Sequence, residues 1–292
     1  MGRDRQVEVA AATSTLLGET PVWDPSLGLL VWVDILGKRV WRHHPATGEV
    51  TSFAVPGIVG CVGLADCGLV LTVGGSVAIC GVGGEDLHLG PSLIDQSAVR
   101  FNDGRVDARG RLYVGTMDWK ESEPLGSLFV AGPDLCAEVV AGPFVVSNGL
   151  DFTGGGGVLY HIDSPSRGVD RYRVDEDSGM LLDKVRLFEV DRSMGEPDGM
   201  VVDAGGLVWI SMWGGGQVVA FTPSGKVARV IELPVSQPTG LTFGGSNLDE
   251  LFVASARDGL SAAELARQPL AGALFRLEPG AIGRPASRFR SR

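Results

Sequence analysis

Positive charge is in short supply. The chain has 25 Lys and Arg against 35 Asp and Glu, for a formal net charge of −10. A surface of that sign repels phosphate backbones, so nucleic acid is excluded as an expected partner. No apolar run approaches the ~20 residues that a membrane-spanning helix needs, so no membrane partner is expected either. Cysteine is scarce: Cys61, Cys67, Cys80 and Cys136 form no CxxC pair and no tight metal-ligating spacing. They read as small buried thiols of a reducing compartment rather than a disulfide framework. The opening "MGRDRQVEVAAATSTLLGE" lacks the continuous apolar stretch of a secretory signal, and Gln6 stands where a myristoylation signal has Ser or Thr. A cytoplasmic location is the expectation. There is no GxSxG elbow and hence no support for an α/β-hydrolase triad. Amphipathic helices of three turns are missing too; the nearest case, "DGLSAAELARQPLAG" at 258–272, is interrupted by Pro269 and Gly272.

Glycine and apolar residues are abundant. The 43 Gly and 16 Pro argue for many turns, and the 44% hydrophobic content allows a large core. One domain over 1–292 is expected. Its last residues, 281–292, carry Arg284, Arg288, Arg290 and Arg292 and read as a solvated tail. "GGGG" at 154–157 and "WGGGQ" at 213–217 lack the strand–helix setting of a phosphate loop and read as hairpin turns.

One pattern recurs six times: a short apolar strand, a Gly-containing turn, a second apolar strand, a turn and a third strand. The turn after the first strand falls at Asp24, Asp66, Asp107, Asp151 and Asp203, with Phe243 in the sixth copy. The spacing of about 40–50 residues is that of a four-stranded propeller blade. "DPSLG", "DARG" and "DAGG" suit hairpin turns, because Asp and Gly take the positive φ such turns need. Strands such as "LLVWVDI" and "LVWISMW" are rich in β-branched and aromatic residues. The expected fold is all-β: a six-bladed β-propeller with four-stranded antiparallel blades. Ring closure requires N- and C-terminal strands in one blade, with "QVEVAAATSTL" joining "ELFVASA" and "GALFRLE".

In such a ring the innermost strands line a central channel, and the residues entering them share one end of it. Those positions hold Glu19, Cys61, Asn102 with Asp103, Asn148, Asp198, and Pro238 with Thr239. Taken singly, Asn or Asp before Gly is an ordinary turn former. Glu19, within "LLGETPVW", has no turn to make. Desolvating a carboxylate is costly, so acids converging at a channel mouth point to a cation. Glu19, Asn148 and Asp198 offer hard oxygen ligands suited to Ca²⁺, Mg²⁺ or Mn²⁺, with Zn²⁺ and Fe²⁺ also accommodated. The histidines fit less well: His43 and His44 belong to a turn, and His161 in "VLYHIDS" reads as a strand histidine.

The segments "LGETPVWD", "RFNDGRVDARGRLYVGTMD", "SNGLDF" with "YHIDS", "PDGMVVDAGGLVWISMWGGGQV" and "LPVSQPTGLTFGG" resemble the regucalcin (SMP-30) and gluconolactonase family over nearly the whole chain. The resemblance implies a six-bladed propeller with one divalent metal at the channel mouth and hydrolysis of a small sugar lactone. It implies Glu19, Asn148 and Asp198 as metal ligands, Asp198 as general base, and Arg100 with Asn102 as substrate contacts. After "GTM" the register is open. Glu121 is taken as a further substrate contact, with Asp118 and Lys120 as alternatives. Hydrolysis of other esters, including phosphotriesters, and calcium binding without turnover are the competing readings. Whether the protein is a monomer or a dimer stays open.

Overall fold

The computed structural model describes residues 7–291. Six small sheets form a six-bladed propeller. The inner strands, in order, are Gly18–Asp24, Val59–Ala65, Val99–Val106, Ser147–Phe152, Glu196–Val202 and Pro238–Gly244. Each packs against the next, and the sixth packs against the first, so the ring is closed. Inner strands are covered on both sides and read as near-continuous buried runs. Outer strands such as Leu181–Glu189 face solvent along much of their length.

The recurrent aspartates work as the turn chemistry requires. Asp24 accepts from the Ser26 amide at 2.9 Å, Asp107 from the amides of Arg109 and Arg111 at 2.9 Å, and Asp203 from the Leu207 amide at 2.9 Å. Asp203 also accepts from Trp209 Nε1 at 2.9 Å, which ties the turn to the core. Closure follows the sequence expectation. Val7–Ala11 pairs antiparallel with Leu274–Leu277, completing blade 6 as its outer strand. The segment 258–272 contains one short helix, Ala262–Arg267, begun by a capping box between Ser261 and Glu264.

All six inner strands are irregular at the same height. Register shifts fall between Glu19 and Val22, Val59 and Val62, Phe101 and Gly104, Asn148 and Leu150, Pro197 and Met200, and Pro238 and Leu241. A bulge of this kind re-aims a side chain and strengthens local twist. The glycines beside the bulges are not turn residues. A Cβ on Gly149 would sit 2.3 Å from the Asp198 carbonyl oxygen, and one on Gly240 would sit 2.6 Å from the Thr20 amide. They let neighbouring strands converge on the axis.

Two expectations need correction. Cys61 and Cys80 are buried free thiols, but Cys67 and Cys136 are exposed. Residues 281–291 are not a solvated tail. They cross the channel end opposite the bulges and touch every blade. The Ile282 carbonyl accepts from Ala204, Gly283 donates to Leu248, and Arg284 bonds the Val202 carbonyl at 3.1 Å and Asp151 at 3.2 Å. Arg288 reaches Asp24 at 2.7 Å and the Ala65 carbonyl at 3.0 Å, and Arg290 donates to Gly110. Arg288–Phe289 adds a short parallel strand to Val59–Ala65, so blade 2 has five strands, one of them parallel. Phe289 is fully buried. Arg284 and Arg288 are instead consumed by carboxylates and carbonyls at the inner strand ends, Arg290 is held by its backbone with an exposed side chain, and Arg292 lies outside the described residues.

Phe289→Ala is therefore expected to destabilise the protein by about 3 kcal/mol, as for other buried Phe truncations. Equilibrium urea unfolding checks this; a free tail predicts no change.

Candidate functional site

The bulged ends of the inner strands open into a cavity of about 360 Å³. Its walls include Glu19 from blade 1, Arg100 and Asn102 from blade 3, Asn148 from blade 4 and Asp198 from blade 5. All five are buried. The structure thus brings together every site residue expected on the inner strands.

Local bonds aim these side chains. Asn148 donates from Nδ2 to Ser164 Oγ at 3.1 Å, and Ser164 donates on to the Pro197 carbonyl at 2.7 Å. That relay fixes the amide, so Asn148 Oδ1 is the atom left over; it is buried and has no partner. Asp198 Oδ1 is likewise buried and unpartnered. Glu19 Oε2 accepts from the Thr20 amide at 3.2 Å. Thr20 sits at φ 44°, a conformation costly for a β-branched residue, and its Oγ1 accepts from the Val62 amide at 3.1 Å. Arg100 donates to Asn102 Oδ1 at 2.6 Å and to the Phe101 carbonyl at 3.1 Å, while Asn102 Nδ2 holds the Ser147 carbonyl at 3.1 Å. The Arg100 guanidinium also lies 5.8 Å from the Trp119 ring centroid.

The three candidates after "GTM" are placed differently. Asp118 is turned into its own loop, accepting from the amides of Ser122 at 3.1 Å and Glu123 at 3.0 Å. Glu121, held at φ 53°, lines the cavity; Asp118 and Lys120 do not. Sequence reasoning missed Ser164, Trp119, Trp213, Glu196 and Asp258, which also line it. Glu196 stands two residues before Asp198 in "GEPDGM" and carried the only usable signal.

The electrostatics are unfavourable without a cation. Burial raises Glu19 well above the usual carboxylate range, and Asp198 and Asp103 add to this; the Thr20 amide and Arg100 oppose it. Burial also pushes Asp198 up to about 7, reinforced by Asp103 and opposed by Asn148 and Arg100. Asp103, deeper in the channel, is raised by burial to about 6, with Arg105 opposing. Among the described residues no three His, Cys, Asp or Glu side chains are grouped to hold a metal. A cation here would need amide oxygen as well as carboxylates. Two orphaned oxygens, on Asn148 and Asp198, beside the desolvated Glu19 carboxylate fit a hard divalent cation.

The histidines stay outside the cavity. His161 Nε2 lies 2.8 Å from Ser147 Oγ, and both residues are fully buried. Burial pushes His161 down to about 3, so the ring is neutral. His43 is buried in its hairpin, with Nδ1 3.2 Å from the Glu49 carbonyl oxygen.

Comparison with known proteins gives a consistent result. Residues 17–257 match the model of the SMP-30/gluconolactonase/LRE-like region. The chain is 38% identical over 266 residues to a 6-deoxy-6-sulfogluconolactonase of Pseudomonas putida, covering 89% of this chain and 90% of that protein. It is 34% identical to regucalcin of Oryctolagus cuniculus, covering 93% and 94%. A crystal structure of regucalcin from Agrobacterium tumefaciens, described as a calcium-binding protein, superposes with a TM-score of 0.91 at 26% identity, covering 97% and 96%. The chain belongs to the SMP-30/gluconolactonase/LRE-like family.

Proposed function

We propose that this protein is a divalent-metal-dependent hydrolase that opens sugar lactones to aldonic acids. The observation that carries the reading is the pair of buried, unpartnered oxygens, Asn148 Oδ1 and Asp198 Oδ1, in a cavity lined by Glu19 and Arg100. Family membership supports it: one relative is named as a lactonase of a gluconolactone, and another is named regucalcin. Glu19, Asn148 and Asp198 would hold the cation. Their oxygens accept Ca²⁺, Zn²⁺, Mn²⁺, Mg²⁺ or Fe²⁺, and availability selects among these. Four free thiols fit a cytoplasmic setting.

Lactone opening needs a water nucleophile, a base and stabilisation of negative charge on the carbonyl oxygen. A bound divalent cation supplies Lewis-acid stabilisation of that charge. Asp198 takes the proton of the attacking water, using whichever oxygen is not committed to the cation. Arg100, Asn102 and Glu121 hold the sugar hydroxyls and orient the ring. Arg100 is well suited to this, because its bonds to Asn102 and the Phe101 carbonyl fix the guanidinium before substrate arrives.

The direct test is pH-stat acid release from a panel of five- and six-carbon aldonolactones, with and without EDTA. Chelator-sensitive turnover of an aldonolactone is the expected result. Turnover of phosphotriesters alone, or metal binding with no turnover, would replace this reading by one of its rivals.

Asp198→Asn is expected to lower kcat by about 10²–10⁴. Near-normal kcat in that variant would remove Asp198 as base. The same neutralisation, and Glu19→Gln, should raise the Tm of metal-free protein, because each removes a desolvated, repelling carboxylate. Both should shrink the Tm gain on adding Mn²⁺ or Ca²⁺. Differential scanning calorimetry reads both effects.

Ser164→Ala frees the Asn148 amide to rotate. Weaker metal binding, by about 10–100-fold, is expected in calorimetric titration with the ion alone.

A further inference from the structure

The mouth of the cavity is acidic beyond the needs of a cation site. Three further carboxylates line it: Glu121, Glu196 and Asp258. Arg100 is the one cationic side chain among the lining residues. It donates from Nη1 to Asn102 and the Phe101 carbonyl, both neutral acceptors, and lies against Trp119. Its single positive charge stands against three carboxylates at the mouth.

Glu196 and Asp258 are exposed. The ion pairs of the described residues involve other carboxylates throughout. Neither charge is neutralised locally. Both are held by backbone. Glu196 begins an inner strand, opposite Trp213 and followed by Pro197. Asp258 donates its amide to the Leu16 carbonyl at 2.9 Å, and its carbonyl accepts from Gln237 Nε2 at 3.1 Å. They come from blades 5 and 6, with Glu121 from the loop of blade 3. Burial raises the Glu121 carboxyl and Arg100 opposes this; Glu196 and Asp258 add smaller upward contributions, as expected of like charges sharing one opening.

We infer that Glu196 and Asp258 form a charge filter at the cavity mouth, admitting uncharged or cationic lactones and turning away lactones that carry an anionic substituent. This rests on the lactonase reading above and assigns its selectivity. A focused negative potential lowers both encounter and residence of like-charged ligands. Both carboxylates are exposed, so the effect is screened by salt, with a Debye length of about 10 Å at 0.1 M.

The test pairs two substrates that differ only at C6: D-glucono-1,4-lactone, with a hydroxymethyl, and D-glucaro-1,4-lactone, with a carboxylate. The kcat/KM ratio of the anionic to the uncharged lactone is expected to be low at low salt and to rise as salt is added. In Glu196→Gln/Asp258→Asn it should rise on the order of tenfold and lose most of its salt dependence. A second measurement does not need turnover: calorimetric titration with methyl β-D-glucoside and methyl β-D-glucuronide, in which the double variant should gain affinity for the glucuronide relative to the glucoside. Equal handling of the paired ligands by the unmodified protein, or an unchanged ratio in the variant, overturns the filter. Turnover of neither lactone, with the glucuronide still discriminated in titration, overturns the lactonase reading and leaves the filter standing.

Discussion

The structure depends on how closely six inner strands can approach one axis. Side chains normally hold neighbouring strands of different blades apart. Here five of the six bulges hold a glycine, blade 1 having Thr20 and Pro21 instead, and at Gly149 and Gly240 even a methyl group would overlap the backbone of the next blade. The approach has two effects at once. It seals the ring, and it presents the residues just before the glycines, such as Asn148 and Asp198, to a common space. The same local irregularity therefore serves architecture and chemistry. A regular antiparallel ladder would alternate these side chains between faces and scatter them.

That convergence carries an electrostatic cost that the rest of the fold sustains. Glu19, Asp103 and Asp198 are desolvated together, and each has its carboxyl raised by burial. Thr20 is held in a left-handed conformation to keep Glu19 in place. The remote end of the channel supplies rigidity. Arg284 and Arg105 both reach Asp151, and Asp151 accepts from the Val202 amide at 2.7 Å. Repulsion among buried carboxylates gathers at one mouth, while ion pairs and a buried phenyl ring hold the other. Such a distribution is usual where a site must be pre-formed rather than merely stable.

Much of this was legible in the sequence. Aspartate-bearing turns at regular intervals mark the blades because a hairpin turn needs that chemistry at a fixed place in each. Glu19, Asn102 and Asp198 could be located because each stands five residues before the turn aspartate of its repeat, and Asn148 because it stands three before its own. The bulges could not be read: a polar residue followed by glycine spells a turn and a close approach in the same letters. The segment 281–291 misled for a related reason. Arginines without carboxylates nearby in sequence look solvated, yet their partners, Asp24 and Asp151, are remote in the chain. Ser164 was hidden because its role is to hold the amide of another residue, which no spacing encodes. Trp119, Trp213 and Asp258 reach the cavity from loops and strand ends, where the repeat gives no register.

The strap over the far end of the channel also bears on how the ring keeps its circumference. Blade 6 is completed by pairing two strands remote in the chain, Val7–Ala11 and Leu274–Leu277. The strap reaches all six blades. Prising any one blade outward must break both its packing against the neighbouring inner strands and its bonds to the strap. The spacing of blades 1, 3, 4 and 5, which share the cavity, is thus held from the far end as well as from the near one.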